Sequence, residues 1–148
     1  MTQNFPDRLE QARSGTNPAL ICQVSSGWVV LCDMQFLRGY CILLADPIVT
    51  SLNDLDRIRR AEFLCDMALV GDAITEVTGA YRINYVIAGN FDPYLHAHIV
   101  PRYLSEPQSM RNGLPWSYPP STLEATLFDF ERDQELIQQL RQAIQKRL

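Results

Sequence analysis

The chain has 148 residues, 47% of them apolar and 20% charged, with a formal net charge of -4. This balance predicts one globular domain over residues 1–148, large enough to bury about two-thirds of its unfolded surface. It argues against a nucleic-acid partner, since no basic stripe is present, and against a membrane span, since no apolar run nears the roughly 20 residues a membrane helix needs.

The first residues, Met1 to Asp7, carry no basic-then-apolar signal segment. Residues 6–14 form an amphipathic stretch with Pro6 and Asp7 early and Gly15 after it, the marks of a short helix. Residues 20–24 and 28–32 read as strands around a Ser25-Ser26-Gly27 turn, and Asp33 closes the second. Arg38-Gly39 is a turn, and 40–44 is a buried strand. Residues 51–78 predict a long helix, with Ser51, Asn53 and Asp54 as candidate caps and Gly79 as its stop. Its apolar positions are Ile58, Ala61, Leu64, Cys65, Ala68, Ile74 and Val77, with Arg57, Arg59 and Arg60 on a solvated face. Segment 105–120 holds Pro107, Pro115, Pro119 and Pro120 with Trp116 and Tyr118, an irregular stretch whose tryptophan packs on core, partner or ligand. Residues 131–148 form a last helix with Leu136, Leu140, Ile144 and Leu148 every fourth residue. Cys22, Cys32, Cys41 and Cys65 have no C-x-x-C spacing and sit in apolar runs, which predicts buried free thiols and a cytoplasmic protein.

Both histidines of the chain lie in the stretch between, at 96 and 98. Two apolar runs flank a turn containing Gly89, Asn90, Asp92 and Pro93, a pattern of two strands with a tight connection. Strand alternation puts Tyr94, His96 and His98 on one face and Leu95, Ala97 and Ile99 on the other, apolar face. Two same-face imidazoles suit nucleophilic or proton-transfer chemistry near neutral pH. The same spacing suits a metal pair, and it also suits a plain polar strand face. Spacing alone leaves all three readings open.

The surrounding residues narrow the choice. Leu95-His96-Ala97-His98-Ile99-Val100-Pro101-Arg102 resembles the signature of the histidine triad superfamily, with Tyr94 where the first histidine would stand. Asn84-Tyr85, Gly89-Asn90 and the run Phe36-Leu37-Arg38-Gly39-Tyr40-Cys41-Ile42-Leu43-Leu44 are similar to the branch related to diadenosine tetraphosphate hydrolases. The resemblance runs from about residue 27 to residue 103. It implies an α+β fold: an antiparallel sheet of about five strands with the 51–78 helix on its apolar face, plus N- and C-terminal helices. It further implies attack by His96 on the α-phosphate of a small-molecule nucleotide, such as a dinucleoside polyphosphate, through a covalent nucleotidyl-histidine. His98 would bind the phosphoryl oxygens and pass a proton, Asn90 would hold a phosphate oxygen, Asp33 would hold the ribose, and Tyr94 would support the ligand or the histidines. No metal or other cofactor is implied, and a homodimer is.

The chain departs from the family pattern at Tyr94, at Tyr40, and at 45–48, where no histidine occurs. Tyr40 and Tyr94 stand in place of a contacting pair of histidines. Two alternatives accompany the hydrolase reading: a nucleotide-binding module without turnover, and a metal-dependent hydrolase with His96 and His98 as ligands.

Overall fold

The computed structural model describes residues 4–148, so the reading of the extreme N-terminus lies outside the described residues at positions 1–3. Helix α1 spans Phe5–Ser14 and is capped by the Asn4 side chain, which accepts from the Asp7 N–H. Gly15 ends it in the left-handed conformation at φ 74°. The strands are β1, Leu20–Val24; β2, Gly27–Leu31; β3, Cys41–Ala45; β4, Arg82–Val86; and β5, His96–Arg102. They form one antiparallel sheet in the order β1-β2-β3-β5-β4. This is the α+β arrangement expected from the sequence.

The long helix α2 covers Arg57–Thr78, shorter at its start than residues 51–78. A 3-10 turn at Leu52–Asp54 precedes it, with Ser51 and Asp54 capping that turn, and Asp56 is the true cap of α2 through the Arg59 N–H. The 105–120 segment folds into short helical turns: α3 at Gln108–Arg111, a 3-10 turn at Pro115–Ser117 and α4 at Pro120–Leu123. Helix α5 spans Phe130–Gln145 and buries Leu136, Leu140 and Ile144, while Leu148 is exposed. No helix among the described residues is long and apolar enough to cross a membrane.

Side-chain alternation gives the sheet two apolar faces. Val29 and Leu31 of β2, Cys41 and Leu43 of β3, and Ala97 and Ile99 of β5 pack under α2 and α5. Val30, Ile42, Leu44 and Val100 point the other way, against Phe5 and Leu9 of α1. The histidines lie on this second side.

Helix α2 meets the sheet with Phe63, Val70, Ala73 and Ile74, not with most of the stripe read from the sequence. Ile58, Ala61, Leu64, Cys65 and Ala68 are exposed. The helix is apolar on two sides, and the inner side is disguised by a charge. Asp66 is buried there because its carboxylate accepts from the Ser26 N–H and hydroxyl, at 2.9 and 2.7 Å. Gly71 is on the inner side as well, with the Tyr85 ring of β4 lying across it; a Cβ at Gly71 would sit 2.0 Å from the Tyr85 hydroxyl. Cys65 on the outer side is likewise exposed, against the expectation of four buried thiols, while Cys22, Cys32 and Cys41 are buried and free.

Candidate functional site

β5 starts at His96, so Tyr94 lies in the turn before the strand and not in it. That turn is fixed by its backbone. The Tyr94 N–H bonds to the Asp92 carbonyl, and Leu95 exchanges bonds with Val49 and Ala45 on the β3 side. Opposite the histidines on β3 stand Leu44, beside His96, and Ile42, beside His98. The two imidazoles are T-shaped, with ring centroids 4.9 Å apart.

Each ring has one nitrogen tied down. His96 Nδ1 is 2.7 Å from the Tyr94 carbonyl oxygen. A carbonyl only accepts, so Nδ1 carries the proton and Nε2 is left with its lone pair. His98 Nδ1 is 2.6 Å from the Tyr40 hydroxyl. Burial, and then the neighbouring His96, push the His98 pKa down from its ordinary value to about 4.

Aromatic rings enclose the pair. Phe5 of α1 stacks on Tyr94 at 5.2 Å and reaches His96 at 5.9 Å, and Trp116 meets His98 edge-on at 5.2 Å. Trp116 therefore belongs to the site and to the second core at once. Its segment is tethered through Arg102, which donates to Glu106, to Asn84 Oδ1, and to the carbonyls of Met110 and Gly113.

The other residues singled out from the sequence are placed less directly. Asn90 is exposed in the β4–β5 connection and Asp33 lies at the end of β2; neither hydrogen-bonds to a histidine. The Asp33 carboxylate is ion-paired with Arg8 of α1. Tyr94 contributes its backbone carbonyl to His96, and its hydroxyl takes no hydrogen bond among the described residues. Tyr40 and Tyr94 do not act as a contacting pair: Tyr40 serves His98 and Tyr94 serves His96. Among the described residues no three His, Cys, Asp or Glu side chains gather as a metal site.

Arg8, Phe5, Glu106 and Arg102 are the site neighbours that sequence reasoning did not assign. The sequence signals for α1, its Pro6-Asp7 start, Gly15 stop and amphipathic spacing, mark a helix but do not say onto which sheet face Phe5, Leu9 and Ala12 pack.

Two expected results follow from this geometry. Tyr94→Phe should leave any turnover within about threefold of wild type, because a hydroxyl without a bonded partner contributes little. A hundredfold loss in steady-state assays would show that the phenol itself acts. His98 should also make the fold acid-sensitive. Above about pH 6.5 it is neutral in both states. Below that the unfolded chain binds a proton that the folded site resists until about pH 4. Stability should therefore fall as pH drops through that window, by at most about 1.4 kcal/mol per pH unit from this group. Urea melts of His98→Asn between pH 7 and 4 should show a shallower dependence than wild type; parallel curves would remove His98 as the cause.

No family model matches the sequence, and no curated protein does. Solved structures do match. A histidine triad protein from Bradyrhizobium japonicum is 23% identical with a TM-score of 0.66, over 84% of this chain and 89% of that one. A hypothetical histidine triad nucleotide-binding protein from Sulfolobus tokodaii is 15% identical with a TM-score of 0.71, over 95% and 92%. The diadenosine triphosphate hydrolase of Plasmodium falciparum, solved with cyclomarin A, is 15% identical with a TM-score of 0.60, over 88% and 78%. The five-stranded sheet, the long helix on one face and the histidine strand beside β3 are thus those of the histidine triad fold, and this chain has that fold.

Proposed function

We propose that this protein cleaves nucleotides at the α-phosphate through a covalent intermediate on His96, acting on dinucleoside polyphosphates or related nucleotide conjugates. The observation that carries the reading is the 2.7 Å bond from His96 Nδ1 to the Tyr94 carbonyl, which keeps the Nε2 lone pair available. Nε2 attacks the α-phosphorus, and the bond to the leaving phosphate oxygen breaks. The His98 N–H donates a hydrogen bond to the phosphoryl group and to the departing oxygen, which leaves as the phosphate anion. Water then attacks the phosphorus and releases a proton to solvent, the P–N bond breaks, and a mononucleotide leaves with Nε2 restored. Asn90 donates to a phosphate oxygen from the β4–β5 connection, and Asp33 takes the ribose hydroxyls, exchanging part of its pairing with Arg8 for the sugar. Tyr94 lines the ligand side next to Phe5.

The test is a chemical trap. Diadenosine tetraphosphate is mixed with enzyme, quenched within milliseconds, and digested for mass spectrometry. An adenylyl group on His96 is expected; product formed without modification of any histidine would sink the mechanism. A second reading, binding without turnover, draws on the tyrosines at 40 and 94 where the family resemblance has histidines. It becomes the better one if the nucleotide binds and no product appears.

The four free cysteines suit a reducing, cytoplasmic setting. We further propose a homodimer. The outer stripe of α2 leaves Ile58 78% and Leu64 39% exposed, and β4 ends the sheet with Tyr85 41% exposed beside it. Trp116 and Tyr118 contact His98 and Glu106 of their own chain, so the support for the dimer comes from α2 and β4 and not from the aromatic tail. Light scattering at micromolar concentration should give twice the chain mass for wild type and one chain mass for Leu64→Asp; a monomeric wild type removes the claim.

A further inference from the structure

The Tyr40 side chain is fully buried, and its hydroxyl ends 2.6 Å from His98 Nδ1. The residue is held from behind. Gln35, itself buried, donates to the carbonyls of Cys32 and Tyr40 and accepts from the Gly39 N–H, so the whole β2–β3 connection is laced to one amide. Gly39 sits at φ 98°, and a Cβ there would press to 3.0 Å on the Thr78 methyl. Gly39 therefore lets the chain turn tightly against α2 and deliver Tyr40 to the histidine strand.

The direction of the Tyr40–His98 bond follows from acidity. Among the hydrogen bonds of the described residues, the Tyr40 hydroxyl has His98 Nδ1 as its partner. Imidazole, with a reference pKa of about 6.5 for its conjugate acid, is a far better base than a phenol oxygen, and a phenol at about 10 is a better acid than a neutral imidazole N–H, so the phenol's proton lies in the bond.

We infer that Tyr40 is a positioning residue that holds His98 as the Nε2–H tautomer, opposite to His96, so that the two imidazoles present one lone pair and one N–H on the same strand face. The tautomers are assigned independently of any reaction; only their use at a phosphate rests on the nucleotidyl reading above. In that reaction the lone pair belongs to His96 as nucleophile and the N–H to His98 as donor to the leaving oxygen. Two imidazoles facing each other match in strength, which leaves the His98 tautomer free to exchange. A phenol can donate or accept, but it is a stronger donor than an imidazole N–H and a weaker acceptor than an imidazole nitrogen, which favours one sense of the bond.

The chain's two histidines make this measurable. In protein carrying 15N-labelled histidine, long-range proton–nitrogen correlation spectra at pH 7.5 resolve two rings, assigned with His98→Asn. The expected result is one ring protonated at Nδ1, His96, and one at Nε2, His98. Tyr40→Phe should turn His98 from a single tautomer into a mixture and leave His96 unchanged, which also shows that the site is still folded. If Tyr40→Phe does not fold, wild type grown with 3-fluorotyrosine, whose phenol is more acidic, replaces it; the Nδ1 signal of His98 should move and that of His96 should not. His98 protonated at Nδ1 in wild type overturns the inference, as does a His98 ring indifferent to both changes at Tyr40.

The activity arm separates this inference from the reading it rests on. Tyr40→Phe should lower kcat about tenfold for an alkoxide leaving group on the nucleotide, whose charge stays on the oxygen facing His98, and less than threefold for nitrophenolate, a far weaker base. Equal losses on both would overturn the link between Tyr40 and the His98 N–H. Tautomers as inferred in a protein that cleaves no nucleotide would leave the Tyr40 assignment standing and sink the nucleotidyl reading.

Discussion

His96→Ala should reduce turnover of a dinucleoside polyphosphate by three orders of magnitude or more, with the melting temperature little changed. The loss is large because the substitution removes the attacking atom, and no neighbouring group replaces it. His98 Nδ1 is occupied by Tyr40, and an Nε2 that carries a proton offers no lone pair. Deletion of a nucleophile in other covalent enzymes costs a comparable factor, with only binding and oxyanion contacts left to act. The fold should tolerate the change. His96 is half-buried at the sheet end, and its one hydrogen bond runs to a backbone carbonyl in a turn that Val49 and Ala45 also hold. Rate and adduct should disappear together in single-turnover experiments. A His96→Ala protein that hydrolyses at the wild-type rate would overturn the role given to this residue.

The sheet was legible in the sequence because strand chemistry is local. Period-two alternation separated His96 and His98 from Ala97 and Ile99, and that division holds in the folded chain. The inner face of α2 was not legible, because a buried carboxylate and a glycine interrupt its apolar run. Asp66 looks like a solvent residue until Ser26, forty positions earlier, supplies its hydrogen bonds. The site was legible only at its centre. The two histidines announce themselves by spacing, but what fixes their protons is non-local: a carbonyl two residues back for His96 and a phenol 58 residues away for His98. The sequence pointed to Tyr40 and Tyr94 as a contacting couple, since both stand where histidines would. The fold splits them between the two imidazoles, because Tyr40 arrives from β3 and Tyr94 precedes β5.

Arg102→Met should destabilise the protein by about 3–5 kcal/mol, the range for removing one partner of a buried ion pair. The side chain is 1% exposed, and all of its N–H groups have partners. Nε and Nη2 engage Glu106, Nη1 reaches Asn84 Oδ1 at 2.8 Å and the Gly113 carbonyl at 2.7 Å, and Nη2 reaches the Met110 carbonyl at 2.8 Å. Glu106, 8% exposed, also accepts from the Tyr103 N–H and the Tyr118 hydroxyl. Burial pushes its carboxyl up, yet these donors together hold it below the ordinary value. Methionine would fill the volume and leave a buried carboxylate and two carbonyls short of donors. Lysine should not rescue it, since one ammonium on a flexible stem cannot reproduce a planar fork. At about 2–4 °C per kcal/mol for a chain of this size, the melting temperature should drop by roughly 10 °C. The damage should reach the site, because Met110 and Gly113 are the tethers of the segment that sets Trp116 against His98. Near-ultraviolet dichroism of a Trp28→Phe background, in which Trp116 is the remaining tryptophan, should lose intensity in Arg102→Met before the chain unfolds. Replacing Glu106 with leucine in the same protein should recover part of the stability, because the stranded charge is then gone. A melting temperature within about 2 °C of wild type, with the Trp116 signal intact, would show that the 103–118 segment is held by its other contacts and that Arg102 is not its anchor.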